Sequence, residues 1–434
     1  MTDRHELTPM TKGKNKTLRD YEKVIRECVK CGICQAHCPA YQANKREGTV
    51  ARGKVTLAAA LLAGETGLTR QLAEDISMCL MCGSCVAKCP NKVPTDEIVG
   101  AIRREITGNE GLSPLGKGVA ALLGSPALMK TLGKGGAIIS PIFLKKVPES
   151  SGLRLRFPLA AMKDRTLPKI AFRNLFDRVK EFYQGEPGKP TVGFFAGCSI
   201  TYLYPEIGEH MVAILRKLGY SVFIPRAQRC CGIPALSTGN AKLVEESAES
   251  NIRAFAGRPV HRIVTACASC NRGAREYYAG MQGDFCAFAG KVMDFSIFLK
   301  NDGFLTRLAS MEKRPERVRI TYHDPCHLKN QGITKEPREL LGALPQVDFV
   351  EMEDAGSCCG LGGTFSASHY EDSLKIGGRK ISGLRQSGAA LVATACPGCI
   401  MQLQDIINRA GLPMRAVHIL ELLAQAVAYP LERN

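Results

Sequence analysis

The chain has 434 residues, of which 45% are hydrophobic and 23% charged, a composition that indicates a folded protein of two or three domains and excludes a disordered chain. Its apolar runs are too short to cross a membrane, and the N-terminal residues contain no apolar secretory core, so we expect a cytoplasmic protein. The net charge of +17 would suit an anionic partner, but aromatic residues make up only 6% and Trp is absent, so we expect no nucleic-acid partner.

The nineteen cysteines are the most informative part of the composition. Most of them occur in tight C-x-x-C or C-C groups. In a long chain without a secretory signal such spacing is typical of metal binding, whereas disulfide frameworks are typical of small secreted domains. We therefore expect metal-ligating thiolates, whose negative charges would offset part of the net positive charge.

Two cysteine runs near the N-terminus each fit the pattern C-x2-C-x2-C-x3-C-P. This is the bacterial ferredoxin run, in which three thiolates ligate one 4Fe–4S cluster and the fourth ligates the other cluster. Zinc is the alternative, but zinc sites usually take their four ligands from two C-x-x-C pairs. We therefore assign cluster A to Cys28, Cys31, Cys34 and Cys89, and cluster B to Cys79, Cys82, Cys85 and Cys38.

The residues after the first run show helical patterns. Alanine and leucine recur at helical spacing over residues 50–65 and 67–79, which predicts a helical domain. A basic segment follows at residues 111–188, with 13 Lys and Arg against 5 Asp and Glu, and we predict a helix over its last part, residues 168–183. The positive charge favours docking to a partner or to an anionic membrane surface, and an ordinary linker packed over the domains is the alternative.

The second half of the chain contains a duplicated cysteine pattern. In each copy a C-C-G motif begins 32 positions after a single cysteine, and a C-x-x-C motif begins 36 or 37 positions after the second cysteine of C-C-G. Two unrelated sets of structural cysteines would not repeat in this way, so we predict one site of five thiolates per copy. The sets are Cys198, Cys230, Cys231, Cys267 and Cys270, and Cys326, Cys358, Cys359, Cys396 and Cys399.

Strand and helix patterns alternate around both copies. Amphipathic helices are predicted over residues 207–220 and 241–256. The alternation predicts a parallel sheet in each copy, and ligands of such sheets bind beyond the carboxyl ends of the strands, where five thiolates could converge. The predicted strands, which precede the cysteines, are residues 192–197, 221–225, 262–266, 318–323, 346–352 and 389–395.

Three further residues have alternative interpretations. Cys286 lies outside every motif, and we expect a small buried hydrophobic residue there rather than a ligand. His323 and His327 flank Cys326. They could tune a metal centre by hydrogen bonding or relay protons, or they could equally cap and pack the end of the strand.

These motifs resemble a known family over about residues 20–430. The duplicated units resemble CCG domains, the cysteine-rich domains of heterodisulfide reductases and related oxidoreductases. Two ferredoxin runs followed by two CCG units resemble the iron–sulfur subunits of glycolate oxidase, D-lactate dehydrogenase and anaerobic glycerol-3-phosphate dehydrogenase, and the corresponding subunit of heterodisulfide reductase. Residues 38–41 (CPAY) and 52–54 (RGK) look like the glycolate oxidase branch, and residues 323–328 (HDPCHL) and 358–365 (CCGLGGTF) look like the lactate-utilisation relatives.

The resemblance implies a multidomain α+β and α/β fold, with a helical dicluster ferredoxin domain followed by two repeated α/β CCG domains. We expect a flexible N-terminal tail over residues 1–20, the ferredoxin domain over 21–110, the basic connector over 111–188, and CCG domains over 189–310 and 311–434. It also implies two 4Fe–4S cubane clusters, and one or two further 4Fe–4S clusters in the CCG domains, which are non-cubane in the heterodisulfide reductase branch.

The function implied by the resemblance is electron transfer. No dinucleotide-binding or zinc-hydrolase motif is visible, so we expect substrate oxidation on a partner, an FAD-containing 2-hydroxy acid dehydrogenase subunit that acts on glycolate or D-lactate. The chain would pass electrons to a quinone or a membrane-associated acceptor, in the cytoplasm or at the inner face of the cell membrane. One alternative is a catalytic subunit that reduces a disulfide at a CCG-bound cluster. Another is a redox sensor, for which no nucleic-acid reader motif is evident.

We predict that Cys31→Ser removes cluster A, because serine replaces one of its four thiolate ligands. The substitution should break the electron path while the CCG half of the chain stays folded. Iron analysis of the purified variant checks this. An iron content equal to that of the unsubstituted chain would contradict the ligand assignment.

Overall fold

The computed structural model describes residues 16–146, 152–155, 165–281, 283–312 and 314–427. Residues 1–15 of the expected tail lie outside this part of the chain. At the end of the expected tail, Leu18 and Tyr21 belong to a short 3₁₀ helix and are buried in the core of the domain that follows. None of the helices formed by the described residues is long and apolar enough to cross a bilayer.

The N-terminal domain is helical. It consists of α1 (Glu22–Arg26), α2 (Ile33–His37), α3 (Pro39–Asn44), a 3₁₀ turn (Glu47–Thr49), α4 (Ala51–Ala63), α5 (Arg70–Ser77), α6 (Ser84–Lys88) and α7 (Thr95–Glu110). Helices α4 and α5 confirm the two helices predicted between the cysteine runs. They pack against α7 through Val55, Leu72 and Ile98, which are almost fully buried. Each such side chain contributes about 1.5–3 kcal/mol, so this core supports the short cysteine-bearing helices α2 and α6.

The connector differs from its prediction. It begins with α8 (Pro114–Gly124) and α9 (Pro126–Phe143), then the antiparallel pair β1 (Leu144–Lys146) and β2 (Leu153–Leu155). The helix predicted over residues 168–183 is wrong, because a 3₁₀ turn (Leu175–Asp177) and the strand β3 (Phe182–Tyr183) take its place. Leu175 is fully buried in the core of the first sheet domain, and β3 pairs with that sheet as an edge strand, so tertiary packing overrides the helical pattern.

The first CCG unit is a five-stranded sheet with helices on its connections. Its strands have the order β3-β5-β4-β6-β7, and all neighbours are parallel except β3 and β5. Its elements are β4 (Thr191–Phe195), α10 (Gly197–Tyr202), α11 (Pro205–Lys217), β5 (Ser221–Phe223), α12 (Ile233–Ser237), α13 (Ala241–Ala256), β6 (Arg262–Thr265), α14 (Ala268–Arg272), a π-helix (Gly273–Tyr277), a 3₁₀ turn (Tyr278–Gly280), α15 (Asp284–Lys291), β7 (Val292–Asp294), α16 (Phe295–Asn301) and α17 (Phe304–Ala309).

The second CCG unit repeats this topology. Its sheet is entirely parallel, in the order β9-β8-β10-β11, which matches β5-β4-β6-β7 of the first unit. The sequence therefore predicted both sheets correctly, but it missed the short strands β7 and β11. The elements are β8 (Val318–His323), α18 (Cys326–Lys329), α19 (Lys335–Ala343), β9 (Val347–Phe349), α20 (Phe365–Ser368), α21 (Tyr370–Gly378), α22 (Ile381–Gln386), β10 (Leu391–Thr394), α23 (Pro397–Arg409), β11 (Arg415–His418) and α24 (Ile419–Ala426).

The two units face each other at the carboxyl ends of β6 and β10. The backbone N–H of Ala268 donates to the carbonyl oxygen of Ala395 over 3.2 Å. The ring Nε2 of His418 lies 2.9 Å from the carbonyl oxygen of Ala266. The edges that carry the cysteines of both units are therefore in direct contact.

Arg272, at the end of α14, fastens the helical domain to the first unit. Its guanidinium donates to the carbonyl oxygen of Met81 over 2.7 Å and forms an ion pair with Asp96. The side chains of Arg272 and Asp96 are only 7% and 4% exposed. Because a buried charge that loses its partner is left in a medium of low dielectric constant, this pair couples the folding of the two domains.

We expect Arg272→Met to lower the free energy of unfolding by about 3–5 kcal/mol, because the buried carboxylate of Asp96 loses this cation. The control is Arg26→Met, which breaks an ion pair with Glu22 whose partners are 77% and 49% exposed and should cost at most about 0.5 kcal/mol. Denaturant unfolding of the anaerobically purified proteins compares the two. Equal unfolding midpoints would show that Arg272 does not hold the domains together.

Candidate metal centres

The two cysteine loops of the helical domain have the same backbone conformation. Lys30 and Gly32 in the first loop have φ angles of 54° and 84°, and Met81 and Gly83 in the second have 51° and 76°. Alternation of left-handed and ordinary residues turns successive N–H groups toward one concave side, which favours anions such as thiolates. In the second loop the N–H of Met81 donates to Cys79 Sγ over 3.4 Å.

Each loop borders a cavity lined by one of the cysteine sets assigned to a cluster. In both cavities, three cysteines of one run lie with the fourth cysteine of the other run. Cys85 borders both cavities, so the two lie side by side. Ligation itself stays a prediction. The first cavity, of about 460 Å³, is lined by Cys28, Cys31, Cys34 and Cys89, and the second, of about 390 Å³, by Cys38, Cys79, Cys82 and Cys85.

Burial makes several of these thiols poor anions unless a cation is near. Loss of solvent raises the pKa of Cys38 to about 11 and that of Cys82 to about 11, and it raises the pKa of Cys85 well above its usual range. A bound metal ion supplies the positive charge that stabilises thiolates. Two four-thiol cavities of this kind therefore fit iron–sulfur clusters.

The first CCG unit gathers its five cysteines at the carboxyl ends of its strands. Cys198 follows β4, Cys230 and Cys231 follow β5, and Cys267 and Cys270 follow β6 at the start of α14. The Sγ atoms of Cys198 and Cys230 are 3.5 Å apart. Cys231 is hydrogen-bonded to the thiols of Cys230 and Cys270. The five thiols thus form one continuous group.

The second unit repeats this arrangement. Cys326 follows β8 and is hydrogen-bonded to Cys358, which follows β9. The Sγ atoms of Cys359 and Cys399 are 3.6 Å apart, and Cys396, at the start of α23, neighbours Cys399.

A glycine is required after each pair of adjacent cysteines. Gly232 and Gly360 have φ angles of 91° and 97°, a conformation that L side chains rarely adopt. A Cβ atom on Gly360 would also lie 2.4 Å from the carbonyl oxygen of Ser373. This explains the C-C-G motif in physical terms: the turn places both thiols toward the site, and only glycine fits behind it.

Hydrogen bonds among the thiols select which of them ionise first. Donation from neighbouring thiols lowers the pKa of Cys231 to about 6, and it lowers the pKa of Cys359 and Cys396 well below the usual range. Their donors, such as Cys270 and Cys399, have raised pKa values for the same reason and because they are buried. Each group therefore holds negative charge at a defined sulfur, which suits a metal centre.

The cysteine sets of different domains are neighbours. The thiols of Cys267 in the first unit and Cys396 in the second are close enough to shift each other's pKa. On the other side of the second set, Cys326 and Cys358 pack with Cys82 of the helical domain. The four sets therefore lie in series, and this order is not visible in the sequence.

Two histidines and a lysine surround the second set. The ring Nδ1 of His327 lies 3.1 Å from Ser269 Oγ in the first unit, and burial lowers the pKa of His327 to about 4. Burial, followed by the nearby ammonium of Lys380, lowers the pKa of His323 well below its usual range. Lys380 is buried, and it donates to the carbonyl oxygen of Asp354 over 2.7 Å. No sequence motif singled out Lys380 or Arg272.

Cys286 differs from its prediction, because it is exposed rather than buried. Helix α15 turns Phe288 and Ala289 into the core. Since successive helical residues are about 100° apart, Cys286 lies nearly opposite Phe288 on the helix, which leaves its thiol outside the core. Its Sγ lies 3.2 Å from the carbonyl oxygen of Ala279.

A cleft of about 1160 Å³ opens beside the helical domain's second cysteine set. Cys79 and Arg103 line it together with apolar side chains such as Ile106 and Leu115, and Phe365 contributes from the second CCG unit. Because it reaches Cys79, a molecule bound there would lie next to the second four-thiol cavity.

Comparisons with known proteins agree with this architecture. Residues 24–93 match the model of a 4Fe–4S dicluster domain, and residues 192–272 and 320–404 each match a cysteine-rich domain of CCG type. The chain is 30% identical over 426 residues to a probable glycolate oxidase iron-sulfur subunit from Bacillus subtilis, which covers 94% of this chain and 95% of that protein.

The chain is also similar to two proteins whose names refer to coenzyme M (CoM) and coenzyme B (CoB). The chain is 29% identical over 415 residues to one subunit of the fumarate reductase (CoM/CoB) of Methanothermobacter marburgensis, which covers 94% of this chain and 74% of that protein. It is 26% identical over 447 residues to one subunit of the dihydromethanophenazine:CoB–CoM heterodisulfide reductase of Methanosarcina barkeri, covering 97% and 98% of the two chains. The chain therefore belongs to the family of iron–sulfur subunits of oxidoreductases that join a 4Fe–4S dicluster domain to two CCG domains.

Proposed function

We propose that this chain is the electron-transfer subunit of a flavin-dependent 2-hydroxy acid dehydrogenase, in which a partner flavoprotein oxidises glycolate or D-lactate. The observation that carries the proposal is the serial arrangement of the four cysteine sets. The likeness to the Bacillus subtilis glycolate oxidase protein along 94% of the chain supports the substrate class. When bound, each iron–sulfur cluster would accept and release single electrons, which is what a reduced flavin requires of its partner.

The chain's own residues set the order of the carriers. Cys31 is exposed at one end of the series, and Cys82 lies beside Cys326 in the middle. Cys267 and Cys396 join the two CCG sets at the other end. Because neighbouring cysteine sets are in contact, electrons would pass from one cluster to the next without a substrate bound between the clusters.

We propose that the flavoprotein docks at the exposed end. Val29 and Ile33 flank Cys31 and are 69% and 45% exposed, which leaves an apolar rim around the first cavity. Lys30 lies within the same rim. An apolar patch around a redox centre suits a partner that must approach the centre closely.

The acceptor would be a quinone or another carrier that takes electrons at the other end of the series, where the two CCG sets meet. Helices α8 and α9 expose Leu122 and Leu132 together with Lys117 and Lys134. Exposed leucines among lysines suit the surface of an anionic membrane, so we propose a cytoplasmic protein that binds peripherally to the inner face of the cell membrane.

Disulfide reduction is a second candidate, and one observation favours it. Both five-cysteine sets are complete and meet at Cys267 and Cys396, and His327 lies between the units with its ring against Ser269. Such a junction could hold a disulfide between two centres with a proton-carrying side chain beside it. The names of the relatives from Methanothermobacter marburgensis and Methanosarcina barkeri point to the same chemistry.

We expect the protein, purified anaerobically with its native partners, to lose visible absorbance and gain reduced-cluster electron paramagnetic resonance signals when D-lactate or glycolate is added. Cys31→Ser should abolish this reduction at the remaining clusters, since electrons enter at that end. Cys286→Ser removes an exposed cysteine outside the four sets and serves as the matched control, with unchanged reduction.

The same preparation separates the two candidates. Clusters that ignore both acids but are reoxidised, after chemical reduction, by an added disulfide would contradict the dehydrogenase role and support disulfide reduction. In that case, His327→Asn should slow the reoxidation by about 10²-fold or more, as expected for loss of a neutral imidazole that relays protons.

A further inference from the structure

The duplication places unlike residues at one corresponding position of the two CCG units. Phe195 ends β4 three residues before Cys198, and His323 ends β8 three residues before Cys326. In the sheets, Phe195 is paired with Thr265, the last residue of β6, and His323 is paired with Thr394, the last residue of β10. The first unit thus has an inert ring where the second has an imidazole.

His323 is buried and its ring lacks a partner. The residue is 1% exposed, and neither ring nitrogen has a partner in hydrogen-bond geometry within the described part of the chain, although the backbone of Ala355 is near enough to raise the pKa of the ring. His418, also buried, is different: its Nε2 lies 2.9 Å from the carbonyl oxygen of Ala266, and its Nδ1 accepts the N–H of Leu420 over 3.2 Å. Leaving a buried polar group without a partner lowers stability, so His323 is expected to have a use for its nitrogen.

The nearest atoms that could use it are thiols. One ring nitrogen of His323 and the Sγ atoms of Cys359 and Cys399 all lie within 4.8 Å of one another. The two sulfurs are 3.6 Å apart. Two thiolates bound at about 2.3 Å to one tetrahedral metal atom lie about 3.8 Å apart, so this pair has the spacing of ligands on a single metal.

We propose that His323 supplies a nitrogen ligand to the metal atom held by Cys359 and Cys399. The second unit then has five thiolates and one imidazole as donors, whereas the first, with Phe195 in the corresponding place, has thiolates alone. The inference rests on the proposed function in requiring a metal centre in the second unit. An imidazole is a neutral donor, so its presence in only one of the units would give the two centres different reduction potentials.

The test is pulsed electron paramagnetic resonance on the full chain, purified anaerobically from cells fed ¹⁵N-histidine or ordinary histidine, in whichever oxidation state is paramagnetic. We expect a nitrogen hyperfine coupling that changes with the isotope. It should be lost in His323→Phe, which installs the residue of the first unit, and in His323→Gln, which keeps a polar side chain. It should persist in His327→Asn, the matched control on the other side of Cys326.

Two results would overturn the proposal and leave the electron-transfer function intact. They are a wild-type second centre without any isotope-sensitive coupling, and a coupling that survives both substitutions of His323. A third result reaches further. If the double substitution Cys359→Ser and Cys399→Ser leaves the iron content unchanged, the second unit holds no centre, and the proposed electron path through it fails together with the ligand.

Discussion

The crowding of thiols is the constraint on which the rest of the molecule depends. Burial raises the pKa of thiols such as Cys38 and Cys82, and the hydrogen bond with Cys230, followed by burial, raises that of Cys198. The sets therefore cannot ionise together unless cations compensate them. Among the described residues, Lys54 near Cys38 and Lys380 near the second CCG set supply part of this positive charge. Bound metal would provide the remaining charge, so folding and loading with iron are expected to be linked.

Duplication of the CCG unit places the cysteine sets next to one another in a row. A parallel sheet collects loops at one edge, so each CCG unit can hold its five cysteines only at the carboxyl ends of its strands. The two sheets have the same strand order and meet at these edges. Cys267 is therefore close to Cys396. The helical domain reaches the second set through Cys82. A linear order of carriers follows from the way the three domains dock.

Local sequence patterns predicted most of the secondary structure, but they predicted almost nothing about how the domains dock. Helix α13 occupies residues 241–256, as its spacing predicted, and the cysteine repeat predicted two equivalent sheets. Strands β7 and β11 were missed because three or four residues are too few to show a period. The wrong helix over residues 168–183 shows how burial of one side chain, Leu175, and edge pairing defeat a helical pattern. The contacts of Arg272 and Lys380 join residues distant in sequence, which a single sequence does not reveal.

The two CCG units kept their backbone while their side chains diverged around the metal sites. Asp294 ends β7 and His418 ends β11, and each accepts the N–H two residues on to start the next helix. The two side chains therefore have the same structural role. Asp294 is a carboxyl whose pKa is raised to about 7 by burial, whereas His418 is a buried imidazole. Both lie close enough to Cys396, at the junction of the units, for its charge to raise their pKa. A strictly symmetric pair would place two centres at equal potential, with no preferred direction between them. Unlike neighbours on a common scaffold give the two centres different potentials, so one of them holds the electron in preference to the other.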